Sequence, residues 1–201
     1  MSNRLQISKQ QRIGLGLVIS VLFIDMLLYS LIIPVIPYFT EKFQPSSTML
    51  GILFSSYAVA LLLTTPFFGP LSDRFNPNIL MLGGLVCLTV TMPLVVMSQA
   101  IWQVAGAMIL VGASIGLSLS PTLSSLASIV DNEGSGSYGA AYALFNMFHA
   151  VGMIFGPLIG GVLTDVMPIP SAIIAVSIVI LVFIGVLGRT LRTKKQQELR
   201  L

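Results

Sequence analysis

Residues 13–36 read IGLGLVISVLFIDMLLYSLIIPVI, twenty-four positions whose one charged side chain is Asp25. At about 1.5 Å of rise per residue such a run, coiled as a helix, crosses a hydrocarbon layer about 30 Å thick. It follows Arg4, Lys9 and Arg12. It is too long, and at Asp25 too acidic, for the apolar core of a signal peptide, so it is expected to stay in the mature protein.

Comparable apolar runs recur five times, over about residues 49–71, 79–97, 101–129, 138–163 and 171–187. Short polar segments separate them: 37–48 with Glu41 and Lys42, then 73–78, 98–100, 131–137 and 165–170. The composition agrees. Of 201 residues, 8% are charged and 55% hydrophobic, where a soluble domain carries about 25% charge, and the mean hydropathy is +0.96. The reading is an all-α polytopic membrane protein, with an N-terminal segment over 1–12, a six-helix bundle over 13–188 and a basic tail over 189–201.

Formal charge is +3, but the basic residues cluster at span ends, where they set orientation and do not make a nucleic-acid surface. Nine of them (Arg4, Lys9, Arg12, Arg74, Arg189, Arg192, Lys194, Lys195, Arg200) fall on one side of an alternating topology, and Lys42 on the other. Short basic segments resist translocation, so both termini are expected in the cytoplasm, with the cell membrane as the site of residence. Cys87 is the single cysteine, which excludes an internal disulfide and a cysteine metal site.

Polar groups inside the spans are the functional candidates, because hydrocarbon penalises them. Asp25 lies roughly 18 Å into the first span, near the midplane. It can attract a cationic solute, exchange a proton, pair with another helix, or be held by neighbouring hydroxyls for packing alone. Tyr29, one turn onward, shares its face and can offer a hydrogen bond. In the fourth span Ser114, Ser118, Thr122 and Ser125 occupy an arc of about 80°, with Gly112 and Gly116 opposite. That stripe lines a polar path, or its hydroxyls bond back to their own helix. Pro121 interrupts the same span.

In the fifth span Tyr138, Tyr142, Asn146 and His149 form a polar stripe that gives way to Gly152, Gly156 and Gly160, where backbones can approach closely. Pro157 adds a kink and Gly161 a further small residue. His149 can carry a proton, pack, or touch solute; no metal cluster accompanies it. The third and sixth spans are nearly uniformly apolar and are expected on outer surfaces. No nucleotide loop, catalytic triad or metalloprotease motif occurs, so neither enzymatic activity nor a cofactor is expected.

Three of these stretches resemble the major facilitator superfamily, in particular its drug:proton antiporter branch and the vesicular amine transporters. Residues 23–37, FIDMLLYSLIIPVIP, look like the amine-transporter first helix, whose aspartate is implicated in substrate or proton handling. Residues 69–74, GPLSDR, are similar to the opening of the cytoplasmic gating motif, in which the positions of Asp73 and Arg74 take part in charge and helix-end contacts. Residues 152–161, GMIFGPLIGG, match the core of the antiporter motif, with Ala143 where the extended pattern has glycine.

Two patterns depart. Asn76, Pro77 and Asn78 replace the glycine and basic residues after Asp73-Arg74, and Met108 with Val111-Gly112 stands where the fourth helix carries an arginine and a Gln-Gly pair. The resemblance implies a secondary transporter exporting an amphipathic or cationic small molecule, coupled to protons. Asp25, Tyr29, Ser118, Thr122, Tyr142, Asn146 and His149 would line the route, and Asp73, Arg74, Gly152, Gly156, Pro157, Gly160 and Gly161 would serve gating.

Such transporters have two six-helix halves related about the membrane normal, and this chain supplies one. The implied partner is a second half, in the same longer chain, a separate chain or a homodimer, besides the lipid bilayer and the solute. The other reading is a non-transporting membrane interaction or regulatory fragment.

Overall fold

The computed structural model describes residues 9–133 and 138–198, apart from the side chains of 9–13, 73, 132–133 and 190–198. Of the residues singled out above, Arg4 and Arg200 lie outside the described residues, as do residues 134–137 and the side chains of Lys9, Arg12, Asp73, Arg192, Lys194 and Lys195. The described chain forms helices α1 (Lys9–Ser30), α2 (Ile36–Phe43), α3 (Ser47–Arg74), α4 (Pro77–Met97), α5 (Ile101–Glu133), α6 (Tyr138–Val166) and α7 (Ile169–Glu198), with a 3₁₀ turn over Ile33–Val35. Six stretches are long and apolar enough to cross a membrane, the first of them Gly14–Phe43.

That first stretch is broken for a local reason. Pro34 has no N–H to offer the Ser30 carbonyl, and its ring crowds that position, so α1 ends at Ser30 and the chain tightens into the 3₁₀ turn. Pro37 then starts α2, and the segment read as a polar loop is helical as far as Phe43. It stops where Gln44 takes the left-handed conformation (φ 47°) ahead of Pro45. Ser46 caps α3 by accepting from the Met49 amide. Asn76 caps α4 by accepting from the Asn78 amide at 3.0 Å, with Pro77 in the first turn. The Asn76-Pro77-Asn78 departure from the gating motif is therefore a helix start. At the other end, residues 189–198 continue α7 beyond the span.

Two packed groups share α1. On one side α6 runs along α1 through its glycines; on the other α5 and α4 close over it, with α3 against α5 and α7 against α4. The core contains Leu17, Leu22 and Leu28 of α1, Leu85, Leu88 and Met92 of α4, and Met108 and Ile115 of α5. One face of α4 is thus deeply buried, more than its outer position in the sequence reading suggests, while Val86, Val90 and Leu94 face outward. At the end bearing Lys42, that ammonium donates to the Ser98 carbonyl at 2.7 Å and lies 5.2 Å from the Phe43 ring centre. It ties α2 to the C-terminus of α4, where a cation also meets the negative end of the helix dipole. Spacing alone gave no sign of this clasp.

Candidate functional site

The α1–α6 seam fixes how α1 is turned. A methyl group added at Gly152 would lie 2.5 Å from the Phe23 carbonyl oxygen, and one at Gly160 2.6 Å from the Pro34 ring. At Gly156 it would overlap the Ser30 hydroxyl and come within 2.6 Å of the Leu27 carbonyl. Ser30 completes the seam by donating to the Met26 carbonyl at 2.6 Å, with the Gly152 carbonyl at 3.3 Å. Gly161 has open space around it and Pro157 lies within continuous helix.

Because Phe23, Met26, Leu27 and Ser30 face α6, Asp25 points about 150° away, toward α5. There the Ser118 hydroxyl donates to Asp25 Oδ2 at 2.6 Å. Asp25 is 1% exposed and its second oxygen, Oδ1, has no hydrogen-bond partner among the described residues. A carboxyl group so enclosed costs at least about 2.5 kcal/mol if ionised on the insertion scale. The vacant lone pairs of Oδ1 are where a proton or a cationic donor would be accommodated.

The Tyr29 ring stacks on Tyr57 of α3, centres 4.5 Å apart and planes 29° apart, while Asp25 Oδ1 has no hydrogen-bond partner among the described residues. The α5 hydroxyls divide. Ser114 donates to the Leu110 carbonyl at 2.7 Å and Thr122 to the Ser118 carbonyl at 2.6 Å, so both bond back to their own helix. Ser118 reaches across to α1, and Ser125 Oγ is buried with no hydrogen-bond partner among the described residues. On the opposite face, Gly112 meets the Tyr57 backbone and Gly116 the Thr64 hydroxyl, which lets α3 lie close against α5.

The polar half of α6 stands apart from this cluster. Tyr142 and Asn146 are exposed, and the Tyr138 hydroxyl donates to Asp131. His149 stacks on Phe145 at 5.7 Å between ring centres and keeps a buried Nδ1 with no hydrogen-bond partner among the described residues. Asp25 and Ser118 therefore come together across α1 and α5, with Thr122 one turn along α5, whereas Tyr142, Asn146 and His149 lie on α6, which packs on a different face of α1. Near the remaining gating residues, Ser72 of α3 lies 3.5 Å from Ser124 of α5, hydroxyl to hydroxyl, and Arg74 is exposed at the end of α3. No group of three or more His, Cys, Asp or Glu able to hold a metal occurs among the described residues.

The six apolar helices and the carboxyl-bearing first span agree with a family-wide match: residues 18–200 fit the model of the Major Facilitator Superfamily. The chain belongs to that superfamily. It is a multi-pass membrane protein, and members of the superfamily are transporters rather than enzymes. Among curated relatives, the chromaffin granule amine transporter of Rattus norvegicus is 26% identical over 134 residues, 67% of this chain and 26% of that protein. The class B tetracycline resistance protein of Escherichia coli is 27% identical over 188 residues, 92% of this chain and 45% of that one. The multidrug resistance protein MdtG of Yersinia enterocolitica is 30% identical over 142 residues, 68% and 33% respectively. The chain spans less than half the length of these major facilitator relatives.

Proposed function

We propose that this chain forms the Asp25-bearing half of a proton-coupled exporter of amphipathic, cationic small molecules in the cell membrane, with both termini in the cytoplasm. The observation that carries the reading is the Asp25 carboxyl: buried in a membrane-spanning bundle, one oxygen held by Ser118 and the other free. A group with that surrounding accepts either a proton or a positively charged donor, and competition between the two is the elementary step of antiport. The relatives, named for amines, tetracycline resistance and multidrug resistance, support a cationic or drug-like solute. The nine-to-one distribution of Lys and Arg supports the orientation.

A second six-helix half completes the pathway, as the chain's share of its relatives' length suggests. Tyr142 and Asn146, exposed on α6, and the half-buried His149 serve the solute route rather than the carboxyl itself. Ser72, Asp73 and Arg74 serve the gate at the cytoplasmic end, and the α1–α6 glycine seam moves as one unit.

The test is proton movement driven by a lipophilic cation such as tetraphenylphosphonium, in proteoliposomes where wild-type flux has first been established with the second half present. Asp25→Asn is expected to lower coupled proton movement at least tenfold, about 1.4 kcal/mol of coupling free energy or more. Undiminished coupling in that variant overturns the role of the carboxyl.

A further inference from the structure

The Asp25 site has a third contributor, on a helix that carries no charged side chain within the membrane. Gly84 of α4 lies directly behind Ser118: a methyl group there would sit 2.5 Å from the Ser118 amide nitrogen, 2.7 Å from its Cβ and 2.8 Å from its Cα. These are backbone and Cβ atoms, so rotation of a side chain cannot relieve the overlap. Its neighbour Gly83 has open space. The absence of a side chain at position 84 alone lets α4 press α5 forward until the Ser118 hydroxyl meets the carboxyl.

That hydroxyl has one hydrogen and two acceptors within reach, Asp25 Oδ2 at 2.6 Å and the Ile115 carbonyl at 3.1 Å. Against a carboxylate, Ser118 donates to Asp25. Against a protonated carboxyl, Asp25 can donate to the Ser118 oxygen while the serine hydrogen turns to Ile115. Every proton stays accounted for in both arrangements, and no heavy atom has to move.

We propose that Ser118 is the positioning residue of Asp25, switching its hydrogen between the carboxyl and the Ile115 carbonyl as Asp25 gains and loses a proton, and that Gly84 holds it at that distance. The consequence for transport rests on the function proposed above; the positioning itself does not.

The experiment labels the purified chain, in phosphatidylcholine vesicles, with dicyclohexylcarbodiimide, which reacts with protonated carboxyl groups in apolar surroundings: the carboxyl proton passes to a carbodiimide nitrogen and the carboxylate oxygen adds to its central carbon. Peptide mass spectrometry reads the labelling rate at Asp25 across a pH series. Ser118→Ala removes only an oxygen and is expected to speed labelling by roughly fivefold or more, the weight of one hydrogen bond to the carboxylate. Ser118→Thr keeps the hydroxyl and is expected to restore the wild-type profile. Gly84→Ala, which leaves both partners chemically intact, is expected to resemble Ser118→Ala, and Gly83→Ala the wild type.

A Ser118→Ala profile superimposable on the wild type overturns the proposal. A folded Gly84→Ala chain with unchanged labelling removes α4 from it. Should Gly84→Ala not fold, the Ser118 pair decides. Coupled proton movement in the same variants separates the two ideas: altered labelling with unaltered coupling retains the positioning and discards the transport role of Asp25, whereas unaltered labelling discards the positioning whatever the flux.

Discussion

Helices α1 and α3 are both long and both apolar, yet their surroundings are opposite. Of the most apolar eighteen-residue window in the first span, 67% is buried within the bundle; in the second span the figure is 11%. Leu17, Leu22 and Leu28 of α1 are almost fully covered, while Leu62, Leu63 and Phe67 of α3 are exposed. Hydropathy does not say which of these helices is buried, because lipid tails and a protein core are equally good solvents for leucine. What separates them is the distribution of small and polar residues. α1 is met by three glycines of α6 on one side and by Ser118 on the other. α3 meets the bundle chiefly through Gly112 and Gly116 of α5, with Tyr57 stacked on Tyr29 of α1.

The hardest blow to that contrast falls on the seam. Gly156→Leu puts a side chain into the Ser30 side chain and the Leu27 carbonyl, the latter of which cannot retreat without moving α1, and is expected to abolish the folded bundle. Gly161→Leu, five residues on and in open space, is expected to fold with a thermal midpoint in mild detergent close to that of the wild type. Equal behaviour of the two variants would mean that α1 is not held by α6. A gentler pair compares the helices directly. Leu28→Ala is expected to cost about 3 kcal/mol, as for a buried leucine elsewhere, and Leu62→Ala less than about 0.5 kcal/mol, measured by reversible unfolding in detergent.

The number of spans, their approximate limits and the superfamily were legible in the sequence because each rests on a signal of twenty residues or on a local motif. Asp25 was legible for the same reason that it is costly: one carboxyl in an apolar run stands out. Its partner was half legible. The α5 stripe named Ser118 among four hydroxyls without showing which would leave its own helix.

Gly84 was not legible at all, since two adjacent glycines in an apolar run read as packing of unspecified kind, and only the meeting of α4 with α5 reveals which of them is in contact. The orientation of Tyr29 was hidden for a related reason. Sharing a helical face with Asp25 allows a hydrogen bond, but the neighbouring α3 offers its hydroxyl-bearing ring a broad stacking partner in Tyr57, and that arrangement is the one adopted. The helical continuation through residues 37–43 was hidden by polar composition, although the two prolines that reset the backbone were visible.

The finest distinction concerns Thr122, which lies one turn from Ser118 on the same face of α5 and is fully buried. Shape and burial alone would make it an equal member of the Asp25 site. Its hydroxyl, however, is spent on the Ser118 carbonyl at 2.6 Å. Replacing it with valine, nearly the same in volume, frees an acceptor whose own helix hydrogen bond persists, so Thr122→Val is expected to change stability by less than about 1 kcal/mol. It is also expected to leave the carbodiimide labelling of Asp25 within twofold of wild type, where Ser118→Ala does not. If Thr122→Val instead shifts that labelling as far as Ser118→Ala, then the backbone at Ser118 is held by the Thr122 hydroxyl as firmly as by the approach of α4. The polar side of α1 would then owe its geometry to α5 alone, and the asymmetry between α1 and α3 would extend to the turn of helix beneath the carboxyl.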